Sequence, residues 1–148
     1  MAPERATIDD LEAIVSSLSE FWGQRDTSAL HHPMFVHEFG DTTLVVHEPE
    51  ERVIAYLFGF LTPARLGYVH LVGVREGHRR SGLGRGLYAH FESLARERGA
   101  VALKALAHPG NHASLAFHRS LGFSATETPD YGRRGETRVI FRRELAGA

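Results

Sequence analysis

The chain has 148 residues, a net charge of -1, 43% hydrophobic and 24% charged residues, the composition of one folded soluble domain over residues 1–148. This excludes a disordered, collagen-like or coiled-coil chain. It has no cysteine, which removes disulfide frameworks, thiolate nucleophiles and Cys-rich zinc sites and fits a reducing, cytoplasmic setting. No run approaches the ~18 apolar residues of a membrane span, and the acidic start lacks an apolar core, so neither membrane attachment nor secretion is expected.

Charge is uneven along the chain. Residues 1–51 hold 11 acids and 2 Arg, residues 52–148 hold 7 acids and 15 Arg and Lys. Either the fold mixes the halves or the second half supplies an anion site. An overall neutral chain is a poor general nucleic-acid binder, so no nucleic-acid partner is expected. Lys104 is the only lysine.

Thr7-Ile8-Asp9-Asp10 reads as a capped helix start, and Ile8, Leu11, Ile14, Val15 and Leu18 make an apolar stripe, predicting a helix over 8–20. Residues 42–47 and 52–61 are rich in β-branched and aromatic side chains around Glu48-Pro49-Glu50-Glu51, which predicts an antiparallel hairpin. A third strand is expected at 68–75. Leu83, Leu87, Phe91, Leu94 and Ala95 predict a helix over 82–98, stopped at Gly99. An apolar strand over 101–107 follows, so a strand, a helix and a strand imply one parallel pair. Asn111 caps a short helix over 112–121, and strands at 123–127 and 136–144 close the chain. The expected fold is α+β, a mixed and largely antiparallel sheet with one parallel pair, flanked by helices.

Residues 72–87 run from a strand through a basic, Gly-rich loop into a helix. The first turn of a helix has unpaired N–H groups and the positive end of the macrodipole, and Gly82, Gly84 and Gly86 clear space for an anion. Arg79, Arg80 and Arg85 add charge. A Walker loop requires Gly-Lys-Ser/Thr, where this chain has Gly84-Arg85-Gly86. A dinucleotide fingerprint requires G-x-G-x-x-G directly after its strand, where this chain has G-x-G-x-G after a seven-residue connection.

Arg79-x-x-Gly82-x-Gly84, placed after a strand ending in Val74, resembles the R/Q-x-x-G-x-G/A motif of the GNAT superfamily of N-acetyltransferases. Asn111-x-x-Ser114-x-x-Phe117-His118-x-x-x-Gly122-Phe123 resembles that family's N-x-x-A/S-x-x-x-Y-x-x-x-G-F segment. The resemblance covers roughly residues 7–143. It implies an acetyl-CoA-dependent N-acetyltransferase, with the pyrophosphate on backbone N–H groups of Arg80, Ser81, Gly82, Leu83, Gly84 and Arg85. The pantetheine arm would be held by backbone near Val72 and Val74, with Asn111 and Phe117 on its other side.

The sequence departs from the family in one place. His118 stands where the family often has a Tyr as general acid near the CoA sulfur; a histidine serves there only if the imidazolium persists near neutral pH. No acid lies between Tyr68 and Val74. His70, which shares a face with Tyr68 and Val72 if the strand is regular, is the candidate to deprotonate the amine through water, and Tyr68 is the second. Ten histidines show no metal-ligand spacing, and neither a Gly-x-Ser-x-Gly elbow nor a carboxylate pair supports hydrolysis.

For the acceptor, Trp22, Phe35, Phe39 and Tyr131 offer aromatic walls or core, and Glu20, Asp26, Glu38 and Asp41 an acidic surface or a solvated face. The expected function is direct acetyl transfer from acetyl-CoA to an amine of a small molecule or peptide through a ternary complex, with a homodimer left open. The rival reading is a non-catalytic CoA-sensing or protein-interaction module on the same fold.

Overall fold

Local capping signals and apolar periodicity set most elements of the computed structural model, which describes residues 2–146. Helix α1, Ile8–Val15, opens on Thr7: its hydroxyl accepts from the Asp10 N–H at 3.2 Å and the Asp10 carboxylate accepts from the Thr7 N–H at 2.8 Å. The helix is shorter than the predicted 8–20. Ser16 and Ser17 turn their hydroxyls back onto the Ala13 carbonyl at 3.0 and 2.8 Å, which competes with helical hydrogen bonding. The chain restarts as α2, Ser19–Trp22, and leaves it at Gly23, where φ is 64°. A 3-10 turn at Ser28–Leu30 and helix α3, Met34–His37, follow.

The predicted hairpin is present as β2, Thr43–His47, and β3, Val53–Leu61, and a two-residue strand β1, Glu4–Arg5, precedes α1. Then come β4, Leu66–Val74, helix α4, Leu83–Glu97, strand β5, Ala102–Ala107, helix α5, His112–Ser120, and strands β6, Ser124–Thr128, and β7, Arg138–Glu144. The architecture is mixed α+β, with seven strands among the described residues, mostly antiparallel with one parallel pair.

The chain divides into two compact units. The first runs to Phe60 and takes in His70–Leu94; the second holds Leu61–Val69 and the described residues from Ala95 onward. In the first, β1 pairs with β2 and β2 with β3, both antiparallel, with a register shift at Val46/His47. Its core gathers Leu11, Ile14, Phe21, Phe35, Val45, Tyr56, Phe58 and Leu71. In the second, the first half of β4 pairs parallel with β5, from Leu66↔Ala102 to Val69↔Ala105. Strand β5 pairs antiparallel with β7, and β7 with β6.

Among the described residues no helix is long and apolar enough to cross a membrane. No group of three or more His, Asp or Glu side chains among them could hold a metal ion.

Candidate active site

The connection from β4 to α4 carries three left-handed residues, Gly77 at φ 91°, Arg80 at φ 63° and Gly82 at φ 82°. Left-handed residues set among ordinary ones turn successive N–H groups toward a common side, an anion-binding concavity, and the first turn of α4 adds its own unpaired donors. A Cβ added at Gly82 or Gly86 would meet nothing within 4 Å. At Gly82 the positive φ explains the glycine. At Gly86 neither φ nor a packed neighbour does, although glycine inside a helix costs about 0.5–1 kcal/mol relative to alanine. Ser81, Gly82, Leu83, Gly86 and Leu87 line an open cavity of about 300 Å³ together with Pro3 and Val46. Gly84 is buried and Arg85 exposed.

The loop is anchored at its start. Arg75, only 4% exposed, pairs with Glu20 at 2.9 Å, donates Nε–H to the Val53 carbonyl at 2.9 Å and lies over the Phe21 ring at 4.7 Å. Arg79, counted from sequence among the charges for the anion, donates to the Phe21 carbonyl at 2.8 Å and to Val74 at 3.3 Å. These bonds give it a second task, tying the loop to α2. The Ser81 hydroxyl donates to the His78 carbonyl.

Beneath the end of β4 lies a polar chain inside an aromatic core, which the sequence reading did not single out. Tyr56 is 0% exposed. Trp22 Nε1–H donates to its hydroxyl oxygen at 2.6 Å, and the hydroxyl lies 2.7 Å from His31 Nε2. His31 Nδ1 is 2.8 Å from the Thr27 carbonyl, an acceptor only, so Nδ1 carries the proton and Nε2 accepts from Tyr56. Burial, opposed by the Thr27 bond and aided by His70, pushes the His31 pKa down, in keeping with a neutral ring. Burial likewise raises that of Tyr56, against the Trp22 hydrogen bond. A Cβ on Gly73 would stand 3.1 Å from the Tyr56 ring and 3.2 Å from Trp22, tighter than ordinary van der Waals contact, so the rings would have to give by a few tenths of an ångström.

His70 stacks on Phe35, centroids 4.8 Å apart and planes 14° apart, and its Nε2–H donates to the Leu30 carbonyl at 3.0 Å. The tautomer leaves the lone pair on Nδ1. Burial, opposed by the Leu30 bond, lowers its pKa. Along β4, Tyr68, His70 and Val72 are partly buried and alternate with the buried Gly67, Val69, Leu71 and Gly73, as in a regular strand.

In the second unit, the Asn111 side chain caps α5, accepting from the Ser114 N–H at 3.1 Å, and Phe117 is half-buried. His118 is 3% exposed. Its ring lies flat on Phe141 at 4.1 Å with the edges of Phe117 and Phe123 around it, and Nδ1–H donates to the Ser114 carbonyl at 2.8 Å. Burial, opposed by that hydrogen bond, lowers its pKa. The imidazolium needed for an acid role is thus disfavoured. Tyr68, half-buried in β4, is pushed up to about 12 by burial and by Tyr131, so its hydroxyl keeps its proton.

Of the residues considered for the acceptor, Phe35 is 2% exposed and part of the core, and Trp22 is tied to Tyr56. Glu20 pairs with Arg75, and Asp26 accepts from Ser28 at 3.0 and 2.6 Å. Tyr131 is 39% exposed.

The model of the acetyltransferase (GNAT) family matches residues 10–123. No curated protein sequence matches. Among solved structures, Chaetomium thermophilum Naa20, in complex with a bisubstrate analogue, superposes with a TM-score of 0.81 at 20% identity, covering 98% of this chain and 87% of that one. The ribosomal-protein-alanine N-acetyltransferase of Brucella melitensis gives 0.73 at 25% identity, over 98% and 100%. The NatC complex bound to Gag peptide and CoA gives 0.79 at 13% identity, over 99% and 100%.

Proposed function

Because the chain belongs to the GNAT acetyltransferase family, its model matching residues 10–123, we propose that this protein moves the acetyl group of acetyl-CoA directly to an amine within a ternary complex. The observation that carries the reading is Gly86. A glycine inside a helix, with no strained φ and no neighbour to make room for, is accounted for by a ligand that must come close. The N–H groups of Arg80, Ser81, Gly82, Leu83, Gly84 and Arg85 hold the pyrophosphate. The backbone of Val72 and Val74 and the side chains of Asn111 and Phe117 serve the pantetheine arm, as the resemblance implies. When bound, acetyl-CoA supplies an activated thioester carbonyl. With no cysteine in the chain, the amine attacks that carbonyl without a thioester to the enzyme.

His70 is the base: its Nε2 proton is fixed on Leu30, and Nδ1 presents a lone pair to the ammonium, directly or through a water. Tyr68 holds its proton and suits the donor role, while His118 suits packing. The name of the Brucella relative specifies a protein alanine as acceptor, and we take the acceptor here to be a peptide amine.

The test is the thermal shift given by acetyl-CoA in the wild type and in Gly86→Glu, a substitution into open space that leaves the fold intact. At about 100 dissociation constants the ligand adds ~2.7 kcal/mol, roughly 5 to 10 °C. The variant should lose this by steric block and like charge. No shift in the wild type overturns the cofactor assignment. Release of CoA that depends on an added peptide amine separates transfer from a module that only senses CoA.

A further inference from the structure

Two elements grip the loop between β4 and α4. Helix α2 takes the Arg75 and Arg79 guanidinium groups, and its Glu20 carbonyl accepts from the Glu76 N–H at 2.8 Å. The other grip is Glu48, which opens the turn between β2 and β3. Its Oε1 accepts from Arg52 Nε at 2.6 Å, a bond that lowers the Glu48 pKa, and its Oε2 stands 3.4 Å from His78 Nε2.

His78 is the node of the loop. It lies between the left-handed Gly77 and Arg80. Its N–H donates to the Arg75 carbonyl at 3.0 Å, and its own carbonyl accepts from the Ser81 hydroxyl. Its Nδ1 is buried with no hydrogen-bond partner among the described residues, so the polar contact that orients the ring is Glu48. Arg80, a residue with a side chain at φ 63°, persists in that conformation only where its surroundings impose it. An acid is otherwise unexpected in this place, because a carboxylate near an anion site repels the ligand.

We propose that Glu48 is a positioning residue for the cofactor loop: fixed by Arg52, it orients His78, and the His78 backbone keeps Arg75 through Ser81 in the anion-binding form before any ligand arrives. The proposal rests on the transfer reading above, which gives the loop the pyrophosphate, and adds to that site a residue from outside the loop. The apparent dissociation constant is the intrinsic one divided by the fraction of molecules in the competent form. A turn that raises this fraction strengthens binding without touching the ligand.

The experiment measures acetyl-CoA binding by titration calorimetry, and turnover of a peptide amine, for the wild type, Glu48→Ala, His78→Ala and the double variant. Glu48→Ala should raise both the dissociation constant and the KM for acetyl-CoA about tenfold, with kcat at saturating acetyl-CoA within about twofold of wild type. The double variant should bind no more weakly than His78→Ala alone, since Glu48 acts through that ring. Melting of the ligand-free variants, expected within about 4 °C of wild type, shows that each is folded. Glu48→Gln, whose amide keeps the Arg52 bond and loses the carboxylate toward His78, should show most of the same loss with the turn intact. Unchanged or tighter binding by Glu48→Ala, or additive losses in the double variant, overturns the positioning role while leaving the cofactor assignment standing. If the wild type binds no acetyl-CoA, the cofactor assignment fails and the positioning role falls with it.

Discussion

Replacing Tyr56 by phenylalanine removes one oxygen from a fully buried position and leaves the ring. That oxygen accepts from Trp22 at 2.6 Å and serves His31 at 2.7 Å, so the variant leaves one donor and one acceptor unpaired. His31 is 4% exposed, and water reaches its Nε2 poorly; Trp22 is half-buried and recovers part of its loss. An orphaned buried polar group costs about 1 to 3 kcal/mol, which places the total near 2 to 4 kcal/mol. At roughly 2 to 4 °C per kcal/mol for a chain of this length, the midpoint should fall by about 5 to 15 °C. Calorimetric melting, with urea unfolding to confirm an unchanged m-value, measures this. A second signature comes from pH. His31 is held below its ordinary pKa by burial, so as pH falls through about 6.5 the unfolded chain binds a proton that the folded chain refuses, and stability is lost. A Tyr56→Phe protein melting within 2 °C of the wild type would refute the assigned hydrogen bonds.

Two further predictions concern single contacts. Gly73→Ala drives a methyl against the Tyr56 and Trp22 rings at 3.1 and 3.2 Å, an overpacking that should cost about 1 to 3 kcal/mol by urea unfolding; a neutral result would show that the rings yield freely. His47 sits 2.8 Å from Asp10 and 3.6 Å from Glu4; burial lowers its pKa, but the two carboxylates prevail and the net shift is upward. Its contribution is therefore complete below the ordinary histidine pKa and is lost as pH rises through the raised one. The melting difference between wild type and His47→Gln should be larger at pH 6 than at pH 9, and a flat difference would dissolve the ion pair as a source of stability.

What could be read from the chain follows the range of the forces involved. The Thr7 cap, the hairpin, the long helix with its Gly99 stop and the Asn111 cap depend on neighbours a few residues away, and all are present in the structure. Helix α3 and the turn at Ser28–Leu30 carry no such signal. Four residues cannot sustain a helix alone; Phe35 holds α3 in place by packing on Phe58 at 5.4 Å, a partner 23 positions away in sequence.

The Gly-rich loop announced itself because glycines and arginines concentrate there. The histidines did not sort themselves, since His31, His70 and His118 look alike in a string of letters. What distinguishes them is their surroundings: His31 and His118 give Nδ1–H to a carbonyl four residues back, His70 gives Nε2–H to Leu30, and only His70 and His118 lie flat on a ring, Phe35 and Phe141. Tyr56 passed unnoticed for the same reason: in an apolar strand a tyrosine reads as bulk until its hydroxyl is seen between Trp22 and His31.

The chain from Trp22 through Tyr56 and His31 to Thr27 also differs from a proton wire, although it contains the two side chains from which such wires are often built. An indole N–H at one end has no proton to release at physiological pH, and a peptide carbonyl at the other has no basicity to receive one. Every hydrogen in it points the same way, from Trp22 toward Thr27, so it has polarity without conductance. Its effect is mechanical. It fastens residues 27–31 and the close contact at Gly73 to a single strand, β3, and a solvent-exchange experiment should find the Tyr56 hydroxyl and Trp22 indole protons among the slowest side-chain protons in the molecule.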